Sequence, residues 1–345
     1  MFLESIATAL PPNPFTQRAC WEALSATDLF GQLNPRSQGV LEKVLASESS
    51  GIETRHFCLP EIAPVVAHDA QALNEFFERE APRLASDALT NALERAGLVA
   101  ADLDALLVCT CTGYLCPGIS SHVSESLGLK PDAFLQDLVG LGCGAAIPMM
   151  RAAEGLLAVK PDARVATVAV EVCSAAFYAA DDLGVLISLC LFGDGAAAAI
   201  WSGQAAEGKW QAGDFDTIHL PAEREKIRFV NDSGKLRNKL DKAVPALAAK
   251  AVKELYDRRA AANPGPIDRV LAHSGGRDVI EFIEAALACS LDETRAVLSH
   301  CGNMSSPSVL FALERAIDSA TADDRRWWLT AFGAGFAAHA CELWR

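Results

Sequence analysis

The sequence predicts an α/β protein in two similar halves, and three observations carry that expectation. Several short strands are apolar from end to end: DALLVCTCTG at 104–113, ARVATVAVEV at 163–172 and AAAAIWSG at 196–203. A strand without polar alternation belongs to a parallel or mixed sheet covered on both faces. Segments with helical spacing lie between such strands, most plainly 70–97. Finally, IDRVLAHSGG (267–276) mirrors LDALLVCTCTG (103–113): an acidic residue, a buried strand and a polar turn, with a helix to follow. That likeness suits an internal duplication dividing near 203–210, with an N-terminal half at 1–205 and a C-terminal half at 206–345.

Along the chain, LESIATAL (3–10) reads as a first strand stopped by Pro11-Pro12. The helix over 70–97 ends at Gly97, a residue suited to a left-handed cap. SSHVSESLGL (120–129) predicts a helix capped by Ser120 or Ser121. In the second half, RDVIEFIEAALA (277–288) and SVLFALERAI (308–317) predict helices. RWWLTAFGAGFAAHACELW (326–344) predicts two strands about a Gly-Ala-Gly turn. The most polar stretch, EREKIRFVNDSGKLRNKLDK (223–242), sets seven basic residues against four acidic ones. It reads either as a solvated loop and helix start or as an anion-receiving rim.

Composition narrows the function. Half the 345 residues are apolar (51%) and the net charge is −14. So acidic a chain lacks the basic face that nucleic acid and anionic membranes demand. Its apolar runs are too short for a membrane span, and MFLESIATALPPNPF lacks the basic start of a signal peptide. A cytoplasmic protein is expected. The eleven cysteines are an odd number scattered through apolar runs without a CxxC pair, which favours reduced thiols over a disulfide framework or a zinc site.

Three residues stand in chemically suggestive contexts. Cys143 lies between Gly142 and Gly144 at a helix start, which permits close approach of a substrate and predicts a lowered thiol pKa. His273 ends a predicted strand, where α/β proteins meet their ligands. Asn303 sits in a turn just before a helix. Taken singly, a buried packing cysteine, a structural histidine and a turn asparagine explain each of them as well.

Five motifs occur together in order: GLGCGAA around Cys143, LFGDGAAAAI (191–200), HSGG (273–276), GNMSSPSVLFALE (302–314) and FGAGFAAHACEL (332–343). Together they resemble the chalcone synthase-like, or type III polyketide synthase, branch of the thiolase superfamily, and CTCTGYLCPG (109–118) resembles its CTTSGxxxPG segment. The resemblance runs from about residue 3 to the C-terminus. It implies a thiolase-like duplicated αβαβα five-layer fold, a homodimer, and a Cys143–His273–Asn303 triad. In that scheme the Cys143 thiolate takes an acyl group from a thioester. His273 and Asn303 hold the enolate formed as a malonyl thioester loses CO₂, and that carbanion extends the acyl chain. Phe192 matches the family's gating aromatic. The substrates implied are coenzyme A or acyl carrier protein thioesters, with no permanently bound cofactor and no metal.

The chain also departs from the family pattern. The basic residues that contact coenzyme A phosphates in plant members fall on Glu42, Leu45 and Ser49, with Lys43 and Arg55 off register. This shifts the expectation for donor phosphates to Arg224, Lys226 and Arg228. Among the residues matching the family's pocket, Cys111 and Thr112 replace a Thr-Ser pair. Cys116 stands where a Met often reaches into the partner's site, and the Gly-Pro-Gly turn is Gly333-Ala334-Gly335. The second gating aromatic maps near Asn238. The main alternative is a single-condensation enzyme like β-ketoacyl carrier-protein synthase III, against which HSGG and GNMSSPS argue. A non-catalytic partner of another synthase is the minor one, disfavoured by an intact triad.

Overall fold

The strands are β1 (Phe2–Ala9), β2 (Pro14–Thr16), β3 (Thr54–His56), β4 (Ala105–Cys109), β5 (Phe134–Leu138), β6 (Arg164–Glu171), β7 (Gly195–Ser202), β8 (Gln211–His219), β9 (Ile227–Asp232), β10 (Lys235–Leu240), β11 (Arg269–Ala272), β12 (Arg326–Gly333) and β13 (Ala337–Trp344). The helices are α1 (Gln17–Ser25), α2 (Asp28–Gln32), α3 (Pro35–Leu45), α4 (Ala70–Ala96), α5 (Ile119–Leu127), α6 (Ala146–Val159), α7 (Leu183–Leu191), α8 (Val244–Ala262), α9 (Arg277–Leu287), α10 (Asp292–Cys301) and α11 (Ser308–Asp318). This computed structural model describes residues 1–345, the side chains of Glu48 and Val65 apart.

Nine strands run in the order β11-β12-β13-β8-β1-β7-β6-β4-β5. The seam is thin: β1 meets β8 through one residue pair, Phe2↔Gln211. On each side of it the pairing repeats. In the first half β4 lies parallel to β6, β6 antiparallel to β7, and β7 antiparallel to β1. In the second half β11 lies parallel to β12, β12 antiparallel to β13, and β13 antiparallel to β8. The extra strand β5 forms the outer edge of the first half, parallel to β4.

Three apolar cores make this a five-layered body. One packs α4 and its neighbours onto one face of the first half-sheet, with Leu84, Leu89 and Ala92 against Leu106, Val168 and Ile200. Another packs α8 and α9 onto the second, with Val252 and Ile280 against Trp328 and Ala340. The middle core holds α6 and α11 between the two half-sheets, with Met149 and Leu313 among Trp201, Trp210 and Trp327. Both middle helices touch strands of both halves. Their composition suits that place: AIPMMRAAEGLLAV and SVLFALERAID are apolar or small over most of their circumference, as a helix covered on several sides must be.

Most sequence-predicted elements stand within two residues of their expected bounds. Gly97 closes α4 in the left-handed region at φ 66°. Two expectations need correction. The cap of α5 is Gly118, and the Ser120 hydroxyl donates instead to Asp137. The 223–242 stretch is neither loop nor helix start but the hairpin β9–β10, with Phe229 opposite Asn238 and Ile227 opposite Leu240. Its turn places Ser233 at φ 54° and Gly234 at φ 83°, the positive pair that a two-residue hairpin turn requires.

Candidate active site

The three suggestive residues arrive from different elements. Cys143 sits in a short 3₁₀ turn, Gly142–Gly144, that leads into α6. His273 follows β11, and Asn303 lies between α10 and α11. All three line one cavity of about 470 Å³, a size typical of ligand sites. Tight packing fixes the nucleophile's turn. A Cβ on Gly333 would lie 2.6 Å from the Gly144 nitrogen and 3.0 Å from the Cys143 nitrogen, and one on Gly142 would lie 3.0 Å from the Ala334 nitrogen. The glycines on both turns are therefore needed for close backbone approach.

Cys143 is held from behind by polar groups. Ser305 Oγ donates to Cys143 Sγ at 3.2 Å and lies 3.2 Å from Cys111 Sγ. Cys111 Sγ donates to Glu171 Oε1 at 3.3 Å. Glu171 is fully buried and also receives Thr110 Oγ1, Ser306 Oγ, both polar hydrogens of Thr112 and the Cys111 backbone N–H. The sequence reading missed Ser305, Ser306 and Glu171. SS in GNMSS and the Glu ending an otherwise apolar strand were the available signals, the latter because a buried carboxylate needs such donors.

Asn303 is pinned at both ends of its amide. Its Nδ2 donates to the Gly275 carbonyl at 3.2 Å, and its Oδ1 accepts from the Ser305 N–H at 2.8 Å. Its backbone forms a parallel bridge with Phe192. His273 is buried, its ring edge-on to Phe332 with centroids 5.4 Å apart, and its Nδ1 has no partner among the described residues.

Burial sets the resting electrostatics. It pushes the Cys143 thiol up to about 12, against the Ser305 hydrogen bond and together with the Glu171 charge. Burial likewise pulls His273 down to about 4, opposed by the Ser305 backbone. The lowered thiol pKa expected from the helix start is thus corrected: desolvation outweighs it. Taken singly, each charged form is disfavoured.

The remaining sequence-predicted residues divide. Phe192, Arg228, Asn238 and Ala334 line the same cavity. Thr112, Phe192, Phe229, Asn238 and Ser305 also border a second space of about 10 Å³, enough for roughly one water. Gly333 packs on the nucleophile's turn, but Gly335 is outside the lining. Cys116 is exposed, away from this chain's own cavity. Arg224 and Lys226 do not reach the lining, and with Arg228 they face carboxylates at 3.6, 3.6 and 2.6 Å. Lys43, Lys242 and Arg277 join Arg228 at the cavity instead. Arg55 is buried and takes no place there.

A family model described as FAE1/Type III polyketide synthase-like protein matches residues 12–255. One described as 3-oxoacyl-(acyl-carrier-protein) synthase III C terminal matches residues 258–344. The chain is 32% identical over 348 residues to a 1,3,6,8-tetrahydroxynaphthalene synthase of Streptomyces peucetius subsp. caesius, covering 97% of this chain and 90% of that protein. It is 28% identical over 300 residues to a phloroglucinol synthase of Pseudomonas fluorescens, covering 83% of this chain and 84% of that one. The solved tetrahydroxynaphthalene synthase of Streptomyces coelicolor A3(2) superposes with a TM-score of 0.88 at 27% identity, over all of this chain and 99% of that one. PKS-I of the brown alga Ectocarpus siliculosus shares the fold at a TM-score of 0.90 and 24% identity, over all of this chain and 98% of that one.

Proposed function

The chain belongs to the type III polyketide synthase family, acyl-transferring condensing enzymes, and on that premise we propose the roles of its own residues. Cys143 gives its proton to His273 and attacks an acyl thioester; the donor thiol leaves with that proton. A malonyl thioester then binds with its carbonyl oxygen toward the His273 ring and the Asn303 amide. Its carboxylate leaves as CO₂, and the electron pair moves onto that oxygen as an enolate. Each such donor is worth roughly 2.7–4 kcal/mol at an oxyanion. The enolate carbon attacks the acyl-Cys143 carbonyl, the carbon–sulfur bond breaks, and the chain is two carbons longer. The apolar Phe192 ring disfavours the malonyl carboxylate and favours its loss as neutral CO₂. One observation carries this reading: Cys143, His273, Asn303 and Phe192 line a single cavity with cations among its lining residues.

The donor is a phosphopantetheine thioester, of coenzyme A or of a carrier protein. Lys43, Arg228, Lys242 and Arg277, which line the cavity, are suited to its phosphate. This revises the expected Arg224–Lys226–Arg228 set, from which only Arg228 is retained. A homodimer is part of the same reading. Tyr114, Phe134, Leu135 and Val139 expose apolar surface at and beside the edge strand β5, and Cys116 is exposed nearby in sequence. An edge of this kind invites a second copy, and sedimentation as a monomer at micromolar concentration would remove that part. The eleven unpaired thiols suit a reducing, cytoplasmic setting.

The test is the purified protein with malonyl-CoA and a panel of acyl-CoA starters, read by mass spectrometry. Extended or cyclised products that require Cys143 are expected. Hydrolysis alone, with no new carbon–carbon bond, would defeat the reading.

A further inference from the structure

Arg55 is 1% exposed and forms no ion pair with a carboxylate among the described residues. Its Nη1 donates to two backbone carbonyls, Leu189 at 2.7 Å and Phe192 at 2.9 Å. Its Nε is buried without a partner among the described residues, and its guanidinium lies 5.0 Å from the Phe57 ring centroid. A buried cation without a counter-ion is costly, so its surroundings call for an account.

Those surroundings are the two segments that carry Phe192 and Asn303. The Leu189 carbonyl belongs to the last turn of α7 and Phe192 is its C-cap; that turn holds no basic residue of its own, and a cation there offsets the negative end of the helix dipole. The stem of Arg55 fills the space beside Gly302: a Cβ on that glycine would come 2.8 Å from Arg55 Cγ. Asn303 N–H donates to the Leu191 carbonyl at 2.9 Å, and Gly193 N–H donates to the Asn303 carbonyl at 3.0 Å. The rest of β3 makes matching attachments. Thr54 Oγ1 donates to His300 O at 2.7 Å, and Asp194 N–H donates to His56 O at 2.8 Å. Short as it is, β3 staples the end of α7 to the turn after α10.

We propose that Arg55 is a positioning residue for decarboxylation, setting the Phe192 ring and the Asn303 amide in register across the malonyl group. The proposal rests on the condensing reading above. It leaves the backbone turn of Cys143 in place, since that turn packs against Gly333 and Ala334 on the other side, and it reaches the thiol indirectly, through Asn303 and Ser305. The two half-reactions therefore separate.

The experiment compares wild type with Arg55→Met, which keeps the stem and removes the charge and donors, and with Arg55→Lys, which keeps the charge but not the planar fork. Acyl loading of Cys143 is followed by intact-protein mass spectrometry with an acyl-CoA starter. Decarboxylation is followed as CO₂ released from malonyl-CoA. Arg55→Met should load at near the wild-type rate yet lose decarboxylation on the order of 100-fold, the scale expected for a misplaced catalytic group. Arg55→Lys should recover part of the loss. Where the Met variant fails to fold, Arg55→Lys must show the same skew, with decarboxylation falling more than loading. Equal losses in both steps, or no loss in either, overturn the proposal. A wild-type chain that neither loads nor releases CO₂ would defeat the condensing reading instead.

Discussion

Replacing Glu171 by Gln should make Cys143 more reactive, and the structure gives both sign and size. Four of the hydrogen bonds to this carboxylate end on Oε2, from Thr110 Oγ1, Cys111 N, Thr112 N and Thr112 Oγ1. The two on Oε1 come from Cys111 Sγ and Ser306 Oγ. A glutamine with its oxygen at the Oε2 position leaves no donor orphaned, because a thiol and a hydroxyl can turn to accept from its NH₂. The charge disappears without a broken network. That charge helps to hold the Cys143 thiol up. The path from Glu171 through Cys111 and Ser305 to Cys143 has links of 3.3, 3.2 and 3.2 Å. Two charges within about 10 Å couple by roughly 1.7 kcal/mol or more at an effective dielectric near 20, a little over one pKa unit. Removing a like charge lowers the thiol pKa, so the thiolate population at pH 7 should rise about tenfold. Iodoacetamide labelling, resolved by peptide so that exposed Cys116 is counted separately, measures it directly. A Glu171→Gln variant that melts like wild type and labels Cys143 no faster would refute the reasoning.

Three further outcomes are expected. Cys143→Ala should lose condensation but still decarboxylate malonyl-CoA, whereas Asn303→Ala should lose both; equal CO₂ release from the two variants would remove Asn303 from the enolate site. Changing Lys43, Arg228 and Lys242 to Glu should raise the donor KM most at low salt, with kcat little altered; a KM that stays flat from about 20 to 300 mM salt would rule out a docking role for this rim. Ser274→Ala should raise the melting temperature by roughly 2 °C, about 1 kcal/mol, because the Ser274 hydroxyl is fully buried without a partner among the described residues; a fall would mean that the hydroxyl is satisfied in solution.

What the sequence made legible follows the range of each signal. The strands at 104–113, 163–172 and 196–203 could be read because complete burial leaves an unbroken apolar run. The hairpin β9–β10 could have been read as well. Ile227 and Phe229 alternate with charged residues, as do Leu236 and Leu240 around Asn238, about a DSG turn. The density of charge hid that period of two. Arg55 was a different matter. Nothing near Arg55 in sequence distinguishes it from a surface arginine, since its partners Leu189 and Phe192 lie more than 130 residues away. Only the tertiary fold gives such a residue its role.

The corrected thiol pKa follows from the five layers themselves. A helix N-terminus favours a thiolate when water or a fixed charge can share the stabilisation. Here α6 is a middle-layer helix whose N-terminal turn packs against the Gly333–Ala334 turn, leaving Cys143 only 8% exposed where it meets the cavity. The same burial that raises Cys143 also lowers His273. Neither shift argues against catalysis, because burial penalises a lone charge far more than a pair made by one proton's transfer. On the proposed mechanism the pair is neutral at rest and becomes an ion pair as the proton moves from Cys143 to His273. The rate of loading should then track the coupled titration of Cys143 and His273 together. His273→Gln, which keeps a donor but cannot take the proton, should slow acylation of Cys143 more than it slows CO₂ release. Equal slowing of the two steps would mean that His273 serves only as an oxyanion donor.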